Sequence, residues 1–281
     1  METIVKFDHL EHIYPGGVHA LQDINLEFHE QEIVAIIGQN GSGKTTLSKH
    51  FNGLLRPTSG KVLVYGKDIA KVRTSDLAKT VGYVFQNPDY QIFCASVRDE
   101  IKYGLKNLKL PDDEVKKKAK EVLNQFNLTP VAKMQPVSLS SGTKKVVALA
   151  SVCAMNPSLL LLDEPTTGQD QPGKRRLGRL MQELAAAGKT IVVISHDMNF
   201  VAKFTQRVIV MAEGKVIGDG TPAEIFSDEK VMEKAHVQPP QIYAVVNELR
   251  KMGRKIPRRA FTCSDVADLI AAEKGDMVCK A

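Results

Sequence analysis

Three groups of residues in this chain have the types and spacing to do chemistry together. The first is Gly38-Gln39-Asn40-Gly41-Ser42-Gly43-Lys44-Thr45, which fits the pattern G-x-x-x-x-G-K-[ST]. Glycines at this spacing let the backbone fold tightly and turn its N–H groups inward, as phosphate oxygens require. A helix opening near Gly43 adds the positive end of its dipole. In such a loop Lys44 reaches the β- and γ-phosphates of a nucleotide, and Thr45 holds a magnesium ion through its hydroxyl. The second group is Leu159-Leu160-Leu161-Leu162-Asp163-Glu164, an apolar run ending in two acids. There Asp163 suits magnesium coordination through water, and Glu164 suits a general base that polarises an attacking water. The third is Ile191-Val192-Val193-Ile194-Ser195-His196-Asp197, which places His196 at the rim of the same site, within reach of a γ-phosphate.

All three groups follow an apolar, strand-length run, and the glycine loop follows Ile33-Val34-Ala35-Ile36-Ile37. In open α/β folds, ligands bind at the carboxyl edge of a parallel sheet whose strands are buried on both faces. A glycine-rich turn with an incidental lysine explains the first group alone. It does not explain three strand ends of complementary chemistry. An accidental match to the loop pattern in a chain of this length is itself on the order of one in a hundred. Further strands are expected at Ile4–Phe7, Asn25–His29, Lys61–Val64, Val81–Phe85, Val208–Met211 and Val216–Ile217, the last two joined by a hairpin turn through Glu213-Gly214. Residues 88–156 read instead as a helical insertion. Val115, Ala119, Val122, Leu123 and Phe126 recur at helical spacing behind the acidic start Asp112-Asp113, and Lys116-Lys117-Lys118 falls mostly on the solvated side.

From Gln238-Pro239-Pro240 a tail begins. Ile242, Val245, Val246, Leu249 and Met252 form one amphipathic stripe, with Gly253 as a stop, and Thr262-x-x-Asp265 resembles a capping box for a second helix. Two such helices bury too little surface to stand alone and must pack on the core or on a partner. At 281 residues, 43% apolar and 25% charged, the chain has the composition of a globular protein, which excludes disorder, collagen-like repeats and a disulfide framework. No apolar run reaches membrane-span length, and the N-terminus lacks the order of a signal peptide. Cys94, Cys153, Cys263 and Cys279 have no metal-ligand spacing and read as reduced thiols. The net charge of +6 is compatible with nucleic acid, anionic lipid or phosphate ligands and selects none of them.

Four further stretches carry a family resemblance. Gln86 stands in Val84-Phe85-Gln86-Asn87-Pro88, Ser140 and Gly142 in Leu139-Ser140-Ser141-Gly142-Thr143, Asp170 in Thr167-Gly168-Gln169-Asp170, and Tyr14 in Ile13-Tyr14-Pro15. Together with the three groups above, these resemble the Q-loop, signature, D-loop, H-loop and adenine-stacking aromatic of ATP-binding cassette (ABC) transporter subunits. The stretch Phe85 to Phe93 and the C-terminal tail are similar to the energy-coupling factor (ECF) importer ATPases of the vitamin, cobalt and nickel class. The resemblance implies an α/β fold with a P-loop NTPase core, an antiparallel β subdomain, a helical insertion and a small helical C-terminal extension. It divides the chain into a cassette at 1–237 and an extension at 238–281 that serves as a dimer contact.

It also implies roles. ATP and Mg2+ are the expected ligands. Tyr14 stacks adenine, and the loop from Gly38 to Thr45 cradles the phosphates, with Thr46 reaching the α-phosphate. Thr45, Gln86 and Asp163 organise Mg2+. Glu164, His196, Gln86 and Lys44 carry hydrolysis. Ser140 and Gly142 act in trans, on the nucleotide of a second ATPase subunit of the same or a related sequence. The signature departs from the family pattern: Ser141 replaces a glycine, Thr143 a glutamine and Val146 an arginine. The expected partners are a transmembrane coupling subunit and a substrate-capture membrane subunit, which put the chain at the cytoplasmic face of the cell membrane. The competing reading is a soluble ABC ATPase acting on nucleic acid or ribosomes. It draws on the cluster Arg250, Lys251, Arg254, Lys255, Arg258 and Arg259, but the chain has a single loop motif and no long heptad arm.

Overall fold

The computed structural model describes residues 2–254, together with Ile256 and Val266. The chain opens with β1 (Thr3–Ile13), β2 (His19–His29) and β3 (Ile33–Ile37), then α1 (Lys44–Phe51), β4 (Ser59–Val64) and β5 (Lys67–Asp68). Next come α2 (Thr74–Leu77), β6 (Val81–Val84), α3 (Val97–Asn107), α4 (Asp112–Gln125), α5 (Ser141–Ala154) and β7 (Leu159–Asp163). The remainder is α6 (Gln171–Ala186), β8 (Thr190–Ile194), α7 (Met198–Phe204), β9 (Arg207–Ala212), β10 (Lys215–Gly220), α8 (Pro222–Ser227), α9 (Glu229–Ala235) and α10 (Gln241–Lys251).

Two sheets organise these elements. The larger has the order β10-β9-β3-β8-β7-β6, with only β10 antiparallel to its neighbour. The smaller is antiparallel, in the order β2-β1-β4-β5. Every residue of β3, β7 and β8 is buried, because each strand feeds two cores by alternation. Leu159, Leu161, Val192 and Ile194 face the antiparallel sheet and α1, beside the edge-to-face rings of Phe7, Phe28 and Phe51. Leu160, Leu162, Ile191 and Val193 face α3, α4 and α5 together with α6 and α7. Fully burying one such side chain stabilises the fold by about 1.5–3 kcal/mol. The chain is therefore an α/β P-loop fold with a helical insertion and an antiparallel layer, the last as the family resemblance implies.

The two N-terminal strands run further than their apolar cores suggest. Their pairing continues to Ile13 opposite His19 after register shifts between Phe7 and Leu10. His9 and Asp23 adopt positive φ there, and such irregularities break the alternation by which a strand is recognised. β5 has two residues and no apolar signal. α3 starts at Ser96, whose side chain accepts from the Asp99 N–H, and buries Val97, Ile101 and Leu105. In α4 the expected apolar positions are buried, with Val122 partly so, and Lys118 pairs with Glu114 at 3.0 Å on the wet side.

α10 packs on the same face of the larger sheet as α6 and α7, over its β3–β9 end. Tyr243 and Val246 join Val208, Val210 and Phe226 in a third core, with Ile242 and Leu249 at its margin. Val245 and Met252 are exposed, which corrects the expected stripe: Tyr243, not Val245, lies at the centre of the buried face. Gly253 ends the helix at positive φ, and its N–H donates to the Arg250 carbonyl. Of the basic cluster, Lys251 is paired with Glu229 and Glu248, and Arg250 bonds Ser227 and Asn247. The Thr262-led helix lies outside the described residues, except that Val266 is helical and buried in this third core. Among the described residues, no helix is long and apolar enough to cross a membrane, and Cys94 and Cys153 are free thiols.

Two close-packed positions give tests. A β-carbon at Gly178 of α6 would enter the Phe204 ring. Overpacking costs about 1–3 kcal/mol and the helix-propensity gain of alanine is about 1. Gly178→Ala should therefore lower stability by about 1 kcal/mol in denaturant unfolding. His50 of α1 is fully buried; its Nδ1 lies 2.8 Å from the Thr46 carbonyl, its ring 4.9 Å from His12, and its Nε2 has no hydrogen bond. Burial depresses its pKa to about 4. The unfolded chain then binds the proton first, so stability falls as pH drops from about 6.5 to 4, by about 3 kcal/mol from this residue. The difference between the pH–stability profiles of the wild type and His50→Leu should show that slope.

Candidate functional site

The glycine loop joins β3 to α1. At Gly38 a β-carbon would collide with the Met211 carbonyl oxygen, and at Gly43, at φ 101°, it would come within 2.7 Å of the Ala20 carbonyl. Both positions therefore demand glycine. Met211 belongs to β9, and the turn after it supports the loop again: the Gly214 N–H donates to the Ser42 carbonyl at 3.1 Å. Lys44 is buried. Its ammonium donates to the carbonyls of Gly38 and Gln39, both at 2.7 Å, and lies 3.4 Å from Ser42 Oγ. Desolvation lowers its pKa, and the nearby carboxylates of Glu164 and Asp163 oppose that shift.

Those carboxylates stand at the end of β7, two strands from the loop, with β8 between. Both are buried. Asp163 accepts a hydrogen bond at 3.0 Å from Tyr83 Oη, and that hydroxyl lies 3.0 Å from Ser48 Oγ on α1. Desolvation raises the pKa of Asp163 and, more strongly, that of Glu164, to about 7. The His196 backbone N–H donates to Glu164 Oε2 at 3.3 Å, and its Nε2 lies 3.2 Å from Oε1. Burial, followed by the Lys44 charge, lowers the pKa of His196, so its ring is neutral near pH 7. Glu164 thus has an acidity suited to a base at neutral pH.

A cleft of about 570 Å³ opens onto these groups. Tyr14, Asn40, Gly41, Gly43, Lys44, Thr45, Thr46, Gln86, Asp163, Glu164 and His196 all line it. Gly38, Gln39 and Ser42 hold Lys44 from behind. Tyr14 Oη lies 3.2 Å from Thr46 Oγ1, and its ring meets His12 edge to face. The oxygen donors of Thr45, Gln86 and Asp163 share the cleft wall and have the hard character that Mg2+ takes. Ser140 and Gly142 do not line the cleft. Ser140 caps the exposed N-terminus of α5, accepting from the Thr143 N–H. The cleft also takes Val18, His19, Ala20, Gln22, Glu213 and Gly214, which carry no sequence signal because two distant turns deliver them. Tyr83 was legible only as a buried strand residue; its hydroxyl contact depends on the pairing of β6 with β7.

Residues 21–167, more than half of the chain, match the ABC transporter family. The chain is 41% identical to a putative ABC transporter ATP-binding protein of Methanosarcina acetivorans over 95% of its own length and 44% of that protein's, so it spans less than half of that relative. It is 40% identical to the energy-coupling factor transporter ATP-binding protein EcfA of Methanocaldococcus jannaschii, over 94% of this chain and 95% of the other. The solved structure of CbiO1 from Clostridium perfringens, part of the ABC transporter complex CbiONQ, matches with a TM-score of 0.76 at 38% identity, over 88% of this chain and 99% of that one. The loop, the acid pair and the histidine at three strand ends therefore belong to a member of the ABC transporter ATP-binding family, and within it of the energy-coupling factor group.

Proposed function

We propose that this chain binds and hydrolyses ATP to energise a membrane importer of the energy-coupling factor type, taking up a vitamin or a transition-metal ion. The observation that carries the reading is the convergence of Lys44, Thr45, Gln86, Asp163, Glu164 and His196 on one cleft. In this mechanism Tyr14 stacks the adenine. The loop amides and Lys44 take the phosphates, and Thr46 reaches the α-phosphate. Thr45, Gln86 and Asp163 would hold Mg2+, which supplies charge neutralisation of the phosphate oxygens when bound. Glu164 orients and deprotonates the water, and His196 steadies the γ-phosphate. Positioning and charge stabilisation account for most of the catalysis of such a transfer.

The nucleotide shell is completed by a second ATPase subunit, whose signature serine and glycine correspond to Ser140 and Gly142. The outward position of Ser140, away from the chain's own cleft, supports this. ATP closes the dimer and product release opens it. The extension at 238–281 adds a dimer contact to the cassette at 1–237. Past Gln86, the exposed rings of Tyr90, Phe93 and Tyr103 favour a groove for the transmembrane coupling subunit. Buried Glu100 shapes that segment by accepting from the N–H groups of Phe93 and Cys94. A substrate-capture membrane subunit completes the complex, and the chain rides at the cytoplasmic face of the membrane.

Phosphate release and uptake by the reconstituted complex test this reading. Glu164→Gln should keep ATP binding, trap a closed dimer and lose turnover by roughly 10²-fold or more; undiminished ATPase activity would remove Glu164 from its role. Lys44→Ala should weaken MgATP binding by about 10- to 100-fold, the worth of a charge-assisted contact. Gln86→Ala should reduce ATP-driven uptake more than it reduces ATP binding, and unchanged uptake would sink the coupling role of that residue. A salt-dependent shift of nucleic acid by the purified chain would favour the competing reading instead.

A further inference from the structure

Glu164 stands at φ 47°, in the left-handed region that a glutamate rarely adopts. Its main chain is held from three directions. Its N–H donates to the Ile194 carbonyl at 2.9 Å, and its carbonyl accepts the Thr167 N–H at 3.3 Å. The third hold is a side chain: Lys145 Nζ donates to the same carbonyl at 3.0 Å. Lys145 belongs to α5, on the far side of its first turn from Ser140. A second contact ties that turn to the same stretch of chain, since Gln169 Nε2 donates to the Gly142 carbonyl at 3.4 Å. The start of α5 is thus fastened to the segment 164–169 at two points.

A half-buried ammonium spent on a main-chain carbonyl is unusual, because two carboxylates lie close by and a lysine has water as its ordinary alternative. The bond fixes the peptide that follows Glu164, and that peptide sets where the carboxylate points relative to His196. We propose that Lys145 is a positioning residue for hydrolysis: from the signature helix it holds the Glu164 carbonyl, and so keeps the carboxylate of that residue in register with the cleft. It touches neither nucleotide nor water. Because the bond runs to the backbone, it acts on turnover and leaves substrate affinity alone. Any donor of similar length and charge can serve. The proposal rests on the assignment of Glu164 as the base.

The test uses this chain within the reconstituted complex, as wild type, Lys145→Met, Lys145→Arg and Glu164→Gln, with Lys145→Gln in reserve should the methionine variant not fold. A fluorescent MgATP analogue should bind all of them within about twofold of the wild type. Turnover in Lys145→Met should fall about tenfold at unchanged KM, and Lys145→Arg should recover to within about threefold. Backbone amides of 164–168 should exchange deuterium faster in Lys145→Met, by about tenfold, while those of the phosphate loop stay as they were. Lys145→Met turnover within about twofold of the wild type, an arginine variant no better than methionine, or unchanged exchange at 164–168 would each overturn the proposal. If Glu164→Gln proves fully active, the assignment of the base fails separately, and the exchange comparison still decides whether Lys145 holds this segment.

Discussion

The site depends on keeping one ammonium and two carboxylates out of bulk water without letting them collapse onto each other. Lys44 is kept by the carbonyls of its own loop, Asp163 by the hydroxyl of Tyr83, and Glu164 by the backbone N–H of His196. Each of these groups has a pKa shifted by desolvation in the direction of its neutral form. Ionised groups in such surroundings interact far more strongly than they would in water. The fold tolerates the strain because the strands beneath are apolar on both faces and carry the stability.

The same constraint explains the sheet order. The loop after β3, the acids after β7 and the histidine after β8 must meet, and β8 lies between β3 and β7. Parallel strands put all three ends on one edge, and the crossover helices that parallel connections require then cover the flanks. Desolvation of Glu164 gives it an acidity matched to neutral pH, so the burial that strains the fold also suits this carboxyl to proton transfer there.

These parts were legible in the sequence because their chemistry fixes residue type and spacing at once. Glycines that must admit a carbonyl at Gly38, an acid pair on Leu159–Asp163 and a histidine after Thr190–Ile194 leave few alternatives. Contacts made across the fold were not legible. The hydroxyl of Tyr83 gains its meaning only once β6 pairs with β7. The positive φ at His9 and Asp23 hides the true length of β1 and β2. In α10, Tyr243 rather than Val245 turns inward because Phe226 and the β9 side chains await it there.

The floor of the phosphate loop comes from a hairpin some 170 residues downstream: Met211 presses on Gly38, Gly214 bonds Ser42, and Gln22 of β2 bonds Gly214 in turn. The recognisable motifs are therefore not a separable module. A cut anywhere between them and Gly214 severs the support from what it supports, so the phosphate loop keeps its floor only in a chain that runs on through that hairpin.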